Sequence, residues 1–359
     1  MPPGTRREYL DWLRGVAVLI MIEAHLVDSW TGAADRQTPA FAAAMIIGGM
    51  GGSLFLFLAG AVVALSASSK LRRTGNPEVA ASAVMRRGLE IFALAFLFRI
   101  QAWILGWSSP AALLKVDILN IMGPSIAAAG YLWGRVHSTR SRLIAFSIAT
   151  VSVTLLTPLI VSAPIGALPD PFEAYIRPVA RLSNFVFFPW MAFVFAGVTA
   201  GLFLDATPSA HEARANAWIF IAGSTIAAAA FAASYQPSPY PHSSFWHTSP
   251  SFFFIRAGLM IAAIGVAYLW QSRPGGLQKW SPLRQMGRSS LFIYWIHVEM
   301  VYGLISLPLH NALTLPQSLL LFVVFSGFML GCSIAKDRVV TWWQERRVRG
   351  ARAHDAPAM

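Results

Sequence analysis

Two residues stand out for the chemistry that their types and spacing allow: Arg14 and His25, in the apolar run LDWLRGVAVLIMIEAHLVDSW at residues 10–30. An imidazole is the side chain whose ordinary pKa permits proton exchange near neutrality, and a guanidinium can hold a phosphate or polarise a carbonyl oxygen. Eleven residues of helix leave the two about 20° apart around the axis and roughly 16 Å apart along it, so they share a face. Asp11 and Asp28 fall within about 40° to 60° of that face, whereas Glu23 lies almost opposite Arg14. A positive charge at one end of a stripe and a base further along it can hold an activated carbonyl compound and take a proton from an incoming nucleophile. That is the chemistry of acyl transfer.

The element that must position these groups is a membrane helix. Hydrophobic residues make up 56% of the 359-residue chain and charged residues only 12%, with a mean hydropathy of +0.55. This balance excludes an ordinary soluble domain and predicts a polytopic, all-α transmembrane bundle. With roughly 20 apolar residues per crossing, ten spans are expected, near 10–28, 43–66, 88–107, 115–133, 143–162, 183–204, 216–234, 251–271, 289–306 and 315–334. The first span is read as a retained helix, because no small-x-small cleavage site follows it.

The charges sort by side. The net charge is +12, and most of the 28 Lys and Arg lie in alternate short connections on the side of the amino terminus, among them Arg72, Arg73, Arg86, Arg87, Arg135, Arg214, Lys279 and Lys336. By the positive-inside rule both termini are cytoplasmic, and the basic surplus is a topology signal that gives no support to a nucleic-acid partner. Residues 335–359 read as a basic cytoplasmic tail behind a transmembrane domain at 1–334, starting with an amphipathic piece and ending in a disordered one. The single cysteine, Cys332, excludes an intramolecular disulfide framework.

Other spans carry groups that lipid does not tolerate, and these must face inward around a polar cavity. Arg99 in the third span requires a carboxylate, a carbonyl or water. Asp117 and Asn120 lie one turn apart in the fourth, Arg256 is inside the eighth, and Tyr294 and His297 lie one turn apart in the ninth. The string GGMGG at 48–52 predicts close helix approach or an unwound turn. The outward loops at 163–182 and 234–250 are rich in Pro, Tyr, Trp and His; their aromatics either stack on a sugar ring or form an interfacial belt. No Walker loop, HExxH, CxxC or GxSxG occurs, so nucleotide hydrolysis, zinc peptidase and common serine hydrolase chemistry are unsupported, and no metal is expected.

Arg14, ten residues and His25 resemble the Arg-x10-His motif in the first helix of the acyltransferase-three membrane enzymes. The string LDWLRGVAVLIMIEAH, together with SLFLFLAG, RRGLEIFALAFLFR, DILNIMG, FPWMAFVFAG and GRSSLFIYWIH, is similar to the bacterial relatives of heparan-α-glucosaminide N-acetyltransferase. The similarity runs from about Arg6 to Tyr302 and is most specific in the first helix. It implies acetyl-CoA as donor from the cytoplasm, an amine or hydroxyl of a carbohydrate or glycolipid as acceptor across the membrane, and a bacterial inner-membrane location. Membrane lipid is the surrounding partner, and the oligomeric state stays open, a homodimer being one option.

Carried over residue by residue, His25 is the general base or nucleophile and Arg14 the positive charge for the donor. Asp11, Glu23, Asp28, Asp117, Asn120 and His297 are supporting or acceptor-binding, and Arg86 and Arg87 meet the phosphates of coenzyme A. In the heparan-type enzymes the catalytic histidine lies in the outward loop after the first helix; here that loop, at 29–40, has none, and His25 is the nearby candidate. The competing reading is a proton-coupled transporter of a small solute, whose intramembrane Asp, Glu, Arg and His look the same. A lipid-binding scaffold is a third, and it leaves the alignment of Arg14 with His25 unexplained.

Overall fold

The computed structural model describes residues 7–106, 109–164, 168–273 and 280–354. Lys279, counted above among the inner-side cations, Arg6, where the similarity begins, and the end of the tail at 355–359 lie outside them. Thirteen α-helices occur among the described residues: α1 (Glu8–Trp30), α2 (Pro39–Gly48), α3 (Met50–Thr74), α4 (Pro77–Gly106), α5 (Ile118–Arg135), α6 (Thr139–Ser162), α7 (Asp170–Ile176), α8 (Phe187–Ala206), α9 (Glu212–Ala233), α10 (Pro250–Gln271), α11 (Pro282–Arg288), α12 (Ser290–Tyr302) and α13 (Leu315–His354). Isolated bridges, Thr31 with Leu313 and Val116 with Ser183, are the β-type pairings found there.

Among the described residues, seven helical segments are long and apolar enough to cross a membrane: Pro39–Thr74, Pro77–Leu105, Thr139–Ser162, Phe187–Ala206, Ser209–Ala233, Pro250–Gln271 and Leu315–Arg346. The other expected spans fall on α1, which carries Asp11, Arg14, Glu23 and Asp28, and on the shorter α5 and α12. α13 runs without a break from the last expected span through residues read as tail, to His354.

The chain divides into two compact units, one of residues 1–13 and 49–279, the other of residues 14–48 and 280–359. In the first unit the neighbours are α3 with α8, α4 with α5, α6 with α8, and α9 with α10. Small residues set how close these pairs come. A Cβ on Gly223 would meet the Gly258 carbonyl oxygen at 2.6 Å, and a Cβ on Gly258 would meet that of Gly223 at the same distance, so α9 and α10 cross backbone to backbone. GGMGG is the junction where α2 ends and α3 begins, with Gly49 between them.

The connection before α5 and the stretch before α8 form a small cluster of their own. Val116 accepts from the Asn184 amide at 3.0 Å and donates to the Leu182 carbonyl at 2.7 Å. Its buried side chain packs with Ile121 and Ala174, against Tyr175, Phe187 and Trp190. Burial pushes the Tyr175 phenol pKa upward, and its bond from Asn120 Nδ2, at 3.3 Å, opposes that shift.

In the second unit α11 and α12 pack on α13, and α1 from Arg14 onward is tied to them by side-chain bonds. Gly15 is needed where α1 meets α11, because any Cβ there would run into the Leu283 backbone. At the far end of α1, Ser29 Oγ and Trp30 Nε1 both donate to the Val301 carbonyl, at 3.2 and 3.1 Å. The loop after α1 closes onto the segment before α13: Gly32 donates to Leu313 at 2.8 Å, and Asp35 accepts from the Leu315 amide at 2.6 Å.

Candidate functional site

α1 presents Arg14 and His25 on one face, and α12 supplies what each of them meets. Arg14 Nη2 donates to Ser290 Oγ at 2.7 Å. One residue earlier, Ser289 Oγ accepts from Lys336 Nζ of α13 at 2.9 Å. Two cations thus converge on adjacent hydroxyls at the start of α12, where the helix dipole is positive as well. Residue spacing gave no hint of Ser289, Ser290 or Lys336, because they come from the other end of the chain.

Two turns further along α12, His297 is fully buried and meets half-buried His25. Nδ1 of His25 lies 2.9 Å from Nε2 of His297. The rings are parallel to within 4°, with centroids 5.1 Å apart, a separation that suits nitrogens meeting edge to edge rather than stacked faces. Nδ1 of His297 lies 2.8 Å from the Ile293 carbonyl oxygen, one turn back in the same helix.

This chain of bonds has a direction. A carbonyl can only accept, so Nδ1 of His297 carries a hydrogen and, in the neutral ring, its Nε2 carries the lone pair. Nδ1 of His25 must then be the donor between the rings, which assigns the lone pair of neutral His25 to Nε2. A proton gained there makes an imidazolium whose Nδ1–H still points at a neutral acceptor. The arrangement can orient a base and stabilise its charged form, as a carboxylate does for a histidine in other enzymes.

Asp28 and Tyr302 lie beside the pair. The Tyr302 ring is 5.5 Å from that of His25, and its hydroxyl donates to Asp28 Oδ2 at 3.3 Å. Asp28 also pairs with Arg36 at 3.7 Å. Arg36 binds the Asp28 carbonyl and donates to Asn311 Oδ1 at 3.1 Å, so Asp28 also anchors the loop that closes this end of the unit. Glu23 is buried on a different face of α1, where its Oε2 approaches Gly48 of α2 and has no hydrogen-bond partner among the described residues.

The remaining candidates belong to the first unit. Asp11 is buried in the first turns of α1. Asp117 caps α5: its carboxylate accepts from the Ile118 amide at 3.1 Å, and its own amide donates to Asn120 Oδ1 at 3.0 Å, a capping box. Asp117 is also the partner of Arg99, the carboxylate that this arginine required inside α4. Any acceptor contact made by Asp117 or Asn120 has to compete with these bonds. Arg86 and Arg87 are exposed on α4 and share Glu90, at 3.9 and 3.2 Å. No group of three or more His, Cys, Asp or Glu side chains able to hold a metal occurs among the described residues.

A chain whose described residues are helical, with seven helices among them fit to cross a membrane, is a multi-pass membrane protein, and a directed histidine pair on the helix face that also carries an arginine suits one that transfers a group. Residues 6–228 match the family model of the heparan-alpha-glucosaminide N-acetyltransferase catalytic domain, and the chain belongs to that family. It is therefore an acetyltransferase of the membrane, of a kind that implies an acetyl-CoA donor. The match includes all of α1 and ends before α12, so His297 and Ser290 lie outside it. No curated protein matches the chain.

Proposed function

We propose that this protein moves an acetyl group from cytoplasmic acetyl-CoA to an amine or hydroxyl of a carbohydrate or glycolipid acceptor, with His25 as general base. The observation that carries this reading is the bond chain from Ile293 through His297 to His25, which assigns the lone pair to His25 Nε2. The acceptor nitrogen or oxygen attacks the thioester carbonyl carbon while its proton passes to that Nε2. When the tetrahedral intermediate collapses, the carbon–sulfur bond breaks and the thiolate takes the proton back from His25. His297 is a positioning residue: it touches neither substrate and acts through the tautomer of His25.

Arg14, with Lys336 beside it at the start of α12, is the positive end for the donor, and Arg86 and Arg87 are proposed as further phosphate-binding cations. Ten crossings are proposed, adding α1, α5 and α12 to the seven longer spans, with both termini cytoplasmic and the chain in a bacterial inner membrane. Residues 1–334 then form the transmembrane acyltransferase domain and 335–359 a cytoplasmic tail. In this topology Arg14 lies near the inner mouth and His25 beyond mid-depth, so the stripe follows the path of the acetyl group. Family membership favours this reading over a proton-coupled carrier.

Purified protein supplied with acetyl-CoA and an amino sugar is expected to release coenzyme A thiol and acetylated sugar in equal amounts. A protein that transports a solute but releases no thiol overturns the proposal. Arg14→Ala is expected to weaken donor binding about 10- to 100-fold, as loss of a charge-assisted contact does; calorimetry that finds unchanged donor affinity removes Arg14 from its role. Topology is tested in a Cys332→Ser background. A cysteine at position 243 should be labelled from outside and one at position 69 from inside, and the reverse pattern inverts the direction of transfer.

A further inference from the structure

A charged stripe on α13 takes no part in the transfer chemistry above. Residues 315–335 of this helix carry no charged side chain, and the charges begin at Lys336. The helix has 40 residues, and at 1.5 Å per residue it is roughly 60 Å long, about twice the hydrocarbon thickness of a bilayer. Its charged part therefore emerges through the headgroup layer.

There a groove of about 560 Å³ opens beside α13, lined by Trp280, Ile334, Arg338, Thr341, Trp342 and Glu345. Gln285 of α11 and Asp337 line it too and hold each other, with Gln285 Nε2 donating to Asp337 Oδ2 at 2.6 Å. Ile334, Arg338, Thr341 and Glu345 fall within about 60° of one another around the helix, so they form one continuous wall.

The cation of this wall is available. Buried Arg256 of the first unit has the Gly49 carbonyl, Ser53 Oγ and the rings of Trp190, Phe193 and Phe252 around it. Arg338 is exposed and makes no hydrogen bond or ion pair among the described residues. Trp280 and Trp342 are 64% and 47% exposed. The Trp342 ring already draws one cation, the Arg346 guanidinium, to 4.0 Å from its centre.

Tryptophan at the headgroup level is ordinary for a membrane protein; the order of the groups is what points to a ligand. Outward from the uncharged span, the wall presents an apolar side chain at Ile334, a cation at Arg338, an indole at Trp342 and a carboxylate at Glu345. A phospholipid with an ammonium headgroup presents the complementary series of acyl chain, phosphate and ammonium. An anionic headgroup or a nucleotide would set its negative charge against Asp337 and Glu345.

We propose that this groove binds a zwitterionic phospholipid of the surrounding leaflet, with the phosphate on Arg338 and the ammonium between Glu345 and the indoles of Trp280 and Trp342. The bound lipid clamps α11 to α13 next to the bond from Lys336 to Ser289. The proposal rests on α13 as a membrane span and not on His25. Its test reads lipid binding alone, so it can fail while acetyl transfer stands, or the reverse.

The test is native mass spectrometry of the full chain in detergent, titrated with phosphatidylethanolamine and with phosphatidylglycerol of the same acyl chains. The ethanolamine lipid is expected to bind about fivefold more tightly, the upper size of an exposed charge contact. Arg338→Gln should weaken both lipids about two- to fivefold, because both carry the phosphate. Glu345→Gln should weaken the ethanolamine lipid alone and so erase the preference, and Trp342→Ala should weaken it several-fold. All three side chains are exposed, so the variants keep the fold, which circular dichroism checks. Equal or tighter binding of phosphatidylglycerol by the unmodified chain, a preference kept in full by Glu345→Gln, or unchanged binding of the ethanolamine lipid by Arg338→Gln or Trp342→Ala overturns the proposal.

Discussion

The histidine pair of the second unit and the arginine cage of the first answer the same difficulty, a polar side chain buried in a membrane helix, in opposite ways. His297 is fully buried, and each of its ring nitrogens has a partner: Nδ1 at the Ile293 carbonyl and Nε2 at His25. The chain is closed internally, and its product is a defined tautomer at His25. Arg256 is nearly as buried, but its Nε is unmet, its charge is unbalanced among the described residues, and aromatic faces take the place of a carboxylate. The difference teaches that a polar side chain buried with every nitrogen met can orient a reacting group, whereas one buried with a nitrogen unmet is held by aromatic faces and a few oxygen acceptors.

Variants that break the comparison should rank accordingly. His25→Ala removes the base itself, and acetyl-CoA turnover should fall by about 10²- to 10⁴-fold, with the helical circular dichroism unchanged; retained turnover would place the chemistry elsewhere. His297→Ala leaves the base but frees its tautomer, so kcat should drop about 10- to 100-fold, the usual size for loss of an orienting partner, with little change in KM. Loss in KM instead would make His297 a substrate contact.

On the other side of the comparison, Ser53→Ala removes one of the two acceptors of Arg256 Nη2 and should lower stability by about 1–3 kcal/mol, the range for a buried donor left unmet. Thermal unfolding checks this, and turnover should be unaffected. The smallest effect is expected of Glu23→Gln. That carboxylate faces Gly48 rather than His25, so turnover should stay at the wild-type level, and a large loss would bring Glu23 into the site.

Much of this is legible in the amino-acid sequence. Helical periodicity alone put Arg14 and His25 on one face and Glu23 on another, and the structure keeps that separation. The third span showed that Arg99 required a partner, and Asp117 supplies it. Asp117 and Asn120 were harder to read, because a three-residue spacing describes two neighbours on a helix face and equally the two ends of a capping box. The extended backbone of Asp117, φ −117° and ψ 178°, decides for the cap. GGMGG likewise allowed a close approach or an unwound turn, and it forms the junction of two helices.

Sequence by itself therefore determined the membrane class, the all-helical character and the polar stripe of α1, since these follow from hydropathy and from the 3.6-residue turn, which act over short range. Only the tertiary structure decided what the stripe meets. His297 and Ser290 stand more than 270 residues from the side chains they bind, and Ser53 stands 203 residues from Arg256. Such pairings depend on which helix faces pack together, and no local periodicity encodes that. The tautomer of His25 and the unmet Nε of Arg256 belong to those contacts, so they exist only once the helices have packed.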